Sequence, residues 1–257
     1  MPELRLPLDP CNPGQFFACC GLFELAAGKT AGTGAHFVCA EDRPRRAEFV
    51  VSGPELPGLE TLLKGLRELT FDLVDNDEES IRPVRLRVNG QTLELDWWLD
   101  EFRERPTSLK CWAGQVTTRK LFEELPSLID DGVTADGLMT SGRMTKSKFG
   151  GDPRSAWNAL DFGYSPNVHN QDAATYPAVE VLAAIGLQGF RPRAGRRDRV
   201  AYSLWTVDLP LAVARIAATA PWDGLPRFDY HFEIAKRGQS YKYFTFGKFD
   251  ERKAYYR

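Results

Sequence analysis

The sequence offers few footholds for redox, metal or membrane chemistry. Its three histidines, His36, His169 and His231, lie far apart, and none has a second ligand four residues on, so neither a zinc helix nor a catalytic triad is indicated. The five cysteines, Cys11, Cys19, Cys20, Cys39 and Cys111, are odd in number and form no C-x-x-C pair at zinc spacing, which argues for reduced thiols over a disulfide scaffold. No run approaches the roughly 18 apolar residues of a membrane span, and no basic stretch near the start leads into an apolar one. The G-x-x-x-x-G-K-[ST] spacing of a phosphate-binding loop is missing as well. A formal net charge of −2 excludes global basicity, so any nucleic-acid partner must meet a local patch. The expectation is a soluble, cytoplasmic protein without a cofactor or metal.

What is present is material for a core. The chain has 257 residues, of which 43% are hydrophobic, enough for one large domain or two small ones. The stretch DPCNPGQFFACCGLFELA sets Asn12 before Pro13, the pattern of an N-cap followed by proline at the first helical position. Phe16, Phe17, Cys20, Phe23 and Ala27 then recur at spacings of three and four, which predicts a mostly buried helix ended by Gly28. Within it Cys19 and Cys20 read as small core hydrophobes; Cys11, near the helix start, is the one thiol worth testing for reactivity.

A strand at Leu4–Leu8 precedes this helix. Two strands follow, at His36–Cys39 and Ala47–Val51, then a helix in LPGLETLLKGLREL and a strand in TFDLV. This β-α-β-β-α-β order is that of a ferredoxin-like or RNA-recognition-motif half. The acidic run at residues 75–79 reads as a solvated loop. In VRLRVNGQTLELDWW, Asn89-Gly90 predicts a type I′ hairpin. Asp96, Asp100 and Glu101 in DWWLDEF could pair as carboxylates, although exposed acids beside a turn are the commoner case. The second half echoes the first. A-A-I-G-L in YPAVEVLAAIGLQGF matches A-C-C-G-L at residues 18–22, and DLPLAVARIAATA matches ELPGLETLLKGL. The fold class expected is therefore α+β, with a ferredoxin-like half at 1–75, a hairpin and helical insertion at 76–135, and a second α+β half at 136–257.

Four stretches carry cations. SLKCWAGQVTTRKLFEEL holds Lys110, Trp112, Gln115 and Arg119, which either seat a phosphodiester and stack a base or mark a core tryptophan beside a solvated face. TSGRMTKSKFGG places Arg143, Lys146 and Lys148 among small residues, as a mobile basic loop would. FRPRAGRRDRV supplies Arg191, Arg193, Arg196, Arg197 and Arg199 against one acid, favouring phosphate binding. The C-terminal hairpin, RFDYHFEIAKRGQSYKYFTFGKF, interleaves Lys236, Arg237 and Lys242 with Tyr241, Tyr243 and Phe244, as single-stranded nucleic-acid surfaces do. Its apolar alternation also fits a half-buried edge hairpin.

The motifs NPGQFFACCGLFELA, LDWW, LKCWAGQ, FGGDPRSAWNALDFGYSPN and YPAVEVLAAIGLQGFRPR, in that order, resemble the Csb family of type I-U (also called I-G) CRISPR effector complexes, in its third, short large-subunit-like form. The likeness spans roughly residues 9 to 205. It implies a non-catalytic subunit of a CRISPR-RNA-guided, Cascade-like surveillance complex. Its partners would be CRISPR RNA, target DNA near the flanking motif, other effector subunits and a separate helicase-nuclease, with no membrane. Arg193, Arg197 and Gln115 would then be candidates to read the flanking bases. Two alternatives remain. One is a metal-independent ribonuclease that processes precursor RNA with His169 or His231 and Lys236 or Tyr241. The other is a structural adaptor.

Overall fold

A computed structural model describes residues 1–28, 30–39, 45–74, 81–113, 116–156, 173–192, 199–220, 224–237 and 241–250. It is a mixed α and β fold in which every described strand pairing is antiparallel.

The chain opens with β1 (Glu3–Leu8) and α1 (Pro13–Ala27). Asn12 caps this helix as its sequence predicts, accepting the Gln15 N–H at 3.2 Å. Residues 13 to 26 of α1 are all buried, so the apolar stripe is a helix enclosed on every side, Cys19 and Cys20 included. β2 (Gly34–Cys39) and β3 (Ala47–Ser52) complete the order β1-β3-β2. Next come α2 (Leu59–Arg67) and β4 (Thr70–Leu73).

Here the structure departs from a four-stranded ferredoxin-like sheet. β4 pairs not with β1 but with β5 (Val84–Val88), which continues into β6 (Gln91–Leu95). The reason is local. Asn89 and Gly90 adopt φ of 52° and 74°, the tight turn expected of them, and the β5–β6 hairpin offers β4 a nearby edge where Asp72 faces Arg85. The edge beside β2 is taken instead by β10 (Leu209–Pro210), from far along the chain.

Beyond the hairpin lie α3 (Thr118–Glu124), α4 (Ala135–Leu138), β7 (Arg143–Thr145) and β8 (Ala173–Thr175), the last two paired. α5 (Pro177–Gly189), β9 (Arg199–Trp205) and α6 (Leu211–Thr219) follow. The last sheet is built on β11 (Arg227–Arg237), flanked by β9, β12 (Tyr241–Phe244) and β13 (Lys248–Phe249). Its inner residues Tyr202 and Phe232 pack on Phe16 and Phe17 of α1. Residues from Leu6 to Phe244 join one continuous hydrophobic core.

At its centre α1 crosses α5. A Cβ on Gly21 would fall 1.9 Å from the Leu182 carbonyl oxygen, and one on Gly186 would fall 2.0 Å from that of Phe17. The contact is reciprocal, since each glycine meets the carbonyl one turn before the other. The echo of A-C-C-G-L in A-A-I-G-L thus has a structural counterpart. It extends to Gln15 and Glu180, which hold matching buried places and accept backbone N–H groups of neighbouring chain, Gln15 from Asp9 at 2.7 Å and Glu180 from residues 149–152.

Candidate nucleic-acid interface

The motifs behind the family resemblance meet in the interior. Gln188, at the end of α5, accepts the N–H groups of Asp96 (2.9 Å) and Trp97 (3.0 Å) and donates to the Asp96 carboxylate at 3.0 Å. Trp97, Trp98 and Trp112 pack edge to face with centroids 5.3 to 5.9 Å apart, and Phe149 closes on Trp112 at 5.6 Å. Asn12 donates to Asp152 at 2.9 Å, and Arg154 forks onto the same carboxylate. These residues tie distant stretches of the chain together, and they are engaged with one another inside the core. Asp96 is engaged by Gln188 and Arg103, while Asp100 caps its own loop by accepting from Glu104 at 3.0 Å, so neither is a free acid.

Several expected nucleic-acid contacts are corrected by this core. Trp112 is only 2% exposed, so it is a packing residue and no stacking platform. Lys148 is buried, donates to the Ser155 carbonyl and lies 5.7 Å over the Tyr241 ring. The segment around it is anchored, not a mobile loop. Thr145 and Ser147 donate to Glu124, and Phe149 and Gly150 donate to Glu180. Arg143 is exposed but pairs with Asp130, Arg119 pairs with Glu123 at 3.5 Å on α3, and Lys146 is exposed. Arg191 donates to the Leu99 carbonyl with Asp96 at 3.9 Å, and Arg199 reaches His231 Nδ1 at 2.9 Å and Asp250 at 3.7 Å. Gln115, Arg193, Arg196, Arg197, His169 and the Arg237 side chain lie outside the described residues.

What the fold does assemble is a seam of three lysines, Lys110 from one stretch and Lys236 and Lys242 from the C-terminal hairpin. The Lys242 N–H bonds the Cys111 carbonyl at 3.2 Å, and the Phe244 N–H bonds that of Gly150 at 3.1 Å. Segment 108–111, segment 148–150 and β12 therefore lie side by side. Gly150 is required at this seam: its φ is +86°, and a Cβ there would come 2.8 Å from Cys111 Cβ. Lys242 Nζ reaches the Ser108 carbonyl at 3.5 Å, Lys110 lies 5.5 Å over Trp112, and Lys236 stands directly opposite Lys242 across the β11–β12 ladder. Like charges facing each other on adjacent strands repel, and neither Lys236 nor Lys242 meets a carboxylate among the described residues. Lys236 and Lys242 are thus cross-strand partners on one face of the hairpin, and Lys110 lies on the segment that β12 adjoins.

Beneath the seam sits a group that local reading passed over. Glu180 is fully buried and accepts from Phe149 (2.8 Å), Gly150 (3.0 Å) and Asp152 (3.3 Å). Burial, with the Asp152 carboxylate close by, pushes its own carboxyl up to about 7. Its only signal in the sequence is a lone acid inside the apolar run YPAVEVLAAIGL.

The thiols and imidazoles stay quiet. Burial raises the Cys111 thiol despite Lys242 and Lys110, and burial together with Asp9 raises that of Cys11, so neither is an activated nucleophile. His231 is held neutral by partial burial and by Arg199; accepting from that guanidinium at Nδ1 leaves its proton on Nε2. Lys236, five residues along β11, lies on the opposite face roughly 17 Å away, so the structure does not bring these two together. Tyr241 sits opposite Arg237, farther still. Among the described residues no group of three or more His, Cys, Asp or Glu side chains could hold a metal ion, and no helix is long and apolar enough to cross a membrane. No family model, curated protein or solved structure matches the chain.

Proposed function

We propose that the protein is a non-catalytic subunit of a CRISPR-RNA-guided antiviral surveillance complex. Its lysine seam holds the phosphodiester backbone of guide RNA or of target DNA near the flanking motif, in the cytoplasm, and a separate helicase-nuclease performs the cleavage. The observation that carries this reading is the cross-strand pair Lys236–Lys242, which meets no carboxylate among the described residues, with Lys110 on the adjoining segment. Strand pairing sets the two lysines directly opposite each other, and a phosphate chain would relieve the repulsion between their charges. The resemblance of its ordered motifs to the Csb family supports the placement in such a complex. The β1-α1-β2-β3 segment, with its sheet order of 1-3-2, supports a ferredoxin-like origin for the first half.

The test is charge reversal at the pair. The variant carrying Lys236→Glu and Lys242→Glu is expected to bind single-stranded RNA roughly 10- to 100-fold more weakly at about 0.1 M salt. Its log–log salt slope should be shallower by about 1 to 2, since two phosphate contacts are lost. Equal affinity and equal slope in variant and wild type would refute the reading and turn the seam toward a protein partner.

A further inference from the structure

Phe102 is 74% exposed at the tip of a loop that is otherwise held firmly. Leu99 and Pro106 bridge its base, the Asp100 N–H bonds the Arg105 carbonyl at 2.8 Å, and the Asp100 carboxylate accepts the N–H groups of Glu104 and Arg105 at 3.0 and 3.3 Å. The base stands on Trp97 and Trp98: the Thr107 N–H bonds the Trp98 carbonyl at 2.8 Å, and Arg191 donates to that of Leu99. Arg103, next to the ring, adopts φ of 58°, a conformation that strains any residue with a Cβ. Its guanidinium is pinned to Glu94 at 2.6 Å and Asp96 at 2.8 Å. The fold thus spends backbone strain and two ion pairs to keep an aromatic ring in water.

Among the described residues, no other exposed large hydrophobic lies on the same loop as the ring. The other exposed large hydrophobics, Met1, Val38, Met144, Val207, Ile216 and Phe246, lie on other segments, and the neighbours of Phe102 are Glu101, Arg103, Glu104 and Arg105. A protein interface needs a contiguous apolar centre, which one ring among charges does not provide. A nucleobase needs only one free aromatic face. The returning strand of the loop runs directly into the seam, because Lys242 Nζ bonds the carbonyl of Ser108 and Lys110 follows. Ser108 is six positions after Phe102, so its Cα lies at most about 20 Å from that of Phe102, within the reach of a short single strand.

We infer that Phe102 is a stacking post for an unpaired nucleobase of the strand whose phosphates lie along Lys236, Lys242 and Lys110. The inference rests on the nucleic-acid reading above and assigns the two sites different work. The lysines meet charge, and the loop, whose own charges nearly cancel, supplies stacking alone.

The experiment uses the full chain and a fluorescently labelled oligouridine, with affinity measured across a salt series. Phe102→Ala is expected to weaken binding roughly 5- to 150-fold at every salt concentration and to leave the salt slope unchanged. Phe102→Trp should keep the affinity, and its emission in excess of wild type should be quenched by the oligonucleotide. Wild-type affinity in Phe102→Ala, beside weakened binding in the lysine variant, overturns the stacking post and leaves the lysine reading standing. A wild-type chain that does not bind the oligonucleotide overturns both. Because the side chain is in water, thermal unfolding of both Phe102 variants should match wild type and serves as the folding control.

Discussion

Gly186→Ala is expected to destabilise the protein by at least about 3 kcal/mol, a large part of the roughly 5 to 15 kcal/mol that holds a typical domain together. The added methyl would sit 2.0 Å from the Phe17 carbonyl oxygen, 2.7 Å from the Gly21 nitrogen and 3.0 Å from the Phe17 carbonyl carbon. All three are backbone atoms, so no side chain can turn aside, and the only relief is to push α1 away from α5. Both helices are buried on nearly every face, so that shift would open gaps in the aromatic layers beyond them. Gly21→Ala should cost as much, its Cβ falling 1.9 Å from the Leu182 carbonyl oxygen. The double variant should cost less than the two singles added, since helices already forced apart have room for the second methyl. Gly58→Ala, with nothing within 4 Å of the new carbon, is the control and should stay within about 1 kcal/mol of wild type. Urea unfolding of the purified variants decides the matter. A Gly186→Ala protein as stable as wild type would mean that the helices do not cross as described.

Stability should fall as pH rises from about 4.5 to about 7, in a component that belongs to Glu180. Its carboxyl titrates near 7 when folded and near 4.5 in an ordinary peptide setting. Between those limits the folded chain holds a proton that the unfolded chain has released, so stability decreases with pH across that window and levels off above it. The full span is on the order of 3 kcal/mol. The groups facing Glu180 are Asp152, which favours the protonated form, and Lys148 and the amides of Phe149, Gly150 and Asp152, which favour the ionised form. Burial outweighs them all. Glu180→Gln fixes a neutral group in place. Its amide oxygen can take over the position of Oε2, which accepts at 2.8 and 3.0 Å, so only the longest bond, at 3.3 Å, loses its acceptor. Urea unfolding of both proteins between pH 5 and 8 should show the wild-type curve falling relative to the variant. Parallel curves would remove Glu180 as the source.

What could be read from the residues in advance was local. Asn12 and Pro13 announce the helix they start, and Asn89-Gly90 announces a turn whose two positive φ angles few other residues tolerate. The apolar runs around Cys19 and Cys20 announce burial, and the short A-C-C-G-L and A-A-I-G-L echo turns out to mark the crossing glycines. What escaped is whatever depends on which segments become neighbours. Lys148 looks like a surface residue in composition, yet Ser155 and Tyr241 enclose it, and for Trp112, which could be read either way, the two neighbouring tryptophans decide for the core. Arg143 and Arg191 find Asp130 and the Leu99 carbonyl in distant stretches. The destination of β4 was set by competition between two edges, and a strand's own sequence says little about which edge is free. The C-terminal hairpin with Lys236 and Lys242 and the stretch with Lys110 were each legible as basic, but not that β12 would lie against residues 108–111 and 148–150.

The enclosure of α1 bears on how the chain is made. Its apolar surface is complete once residue 27 leaves the ribosome, while the helix that covers it ends at residue 189. At ordinary elongation rates of about 5 to 20 residues per second, that interval lasts roughly 8 to 30 seconds. Throughout it the nascent chain can offer α1 only β1 to β3 and α2 as cover, so the face that meets α5 stays bare, and β2 waits even longer for the strand at residues 209–210. Such a chain is a natural client for ribosome-bound chaperones. Fragments that stop short of α5 should aggregate as they are made, so variants of this protein are best studied in the full-length chain.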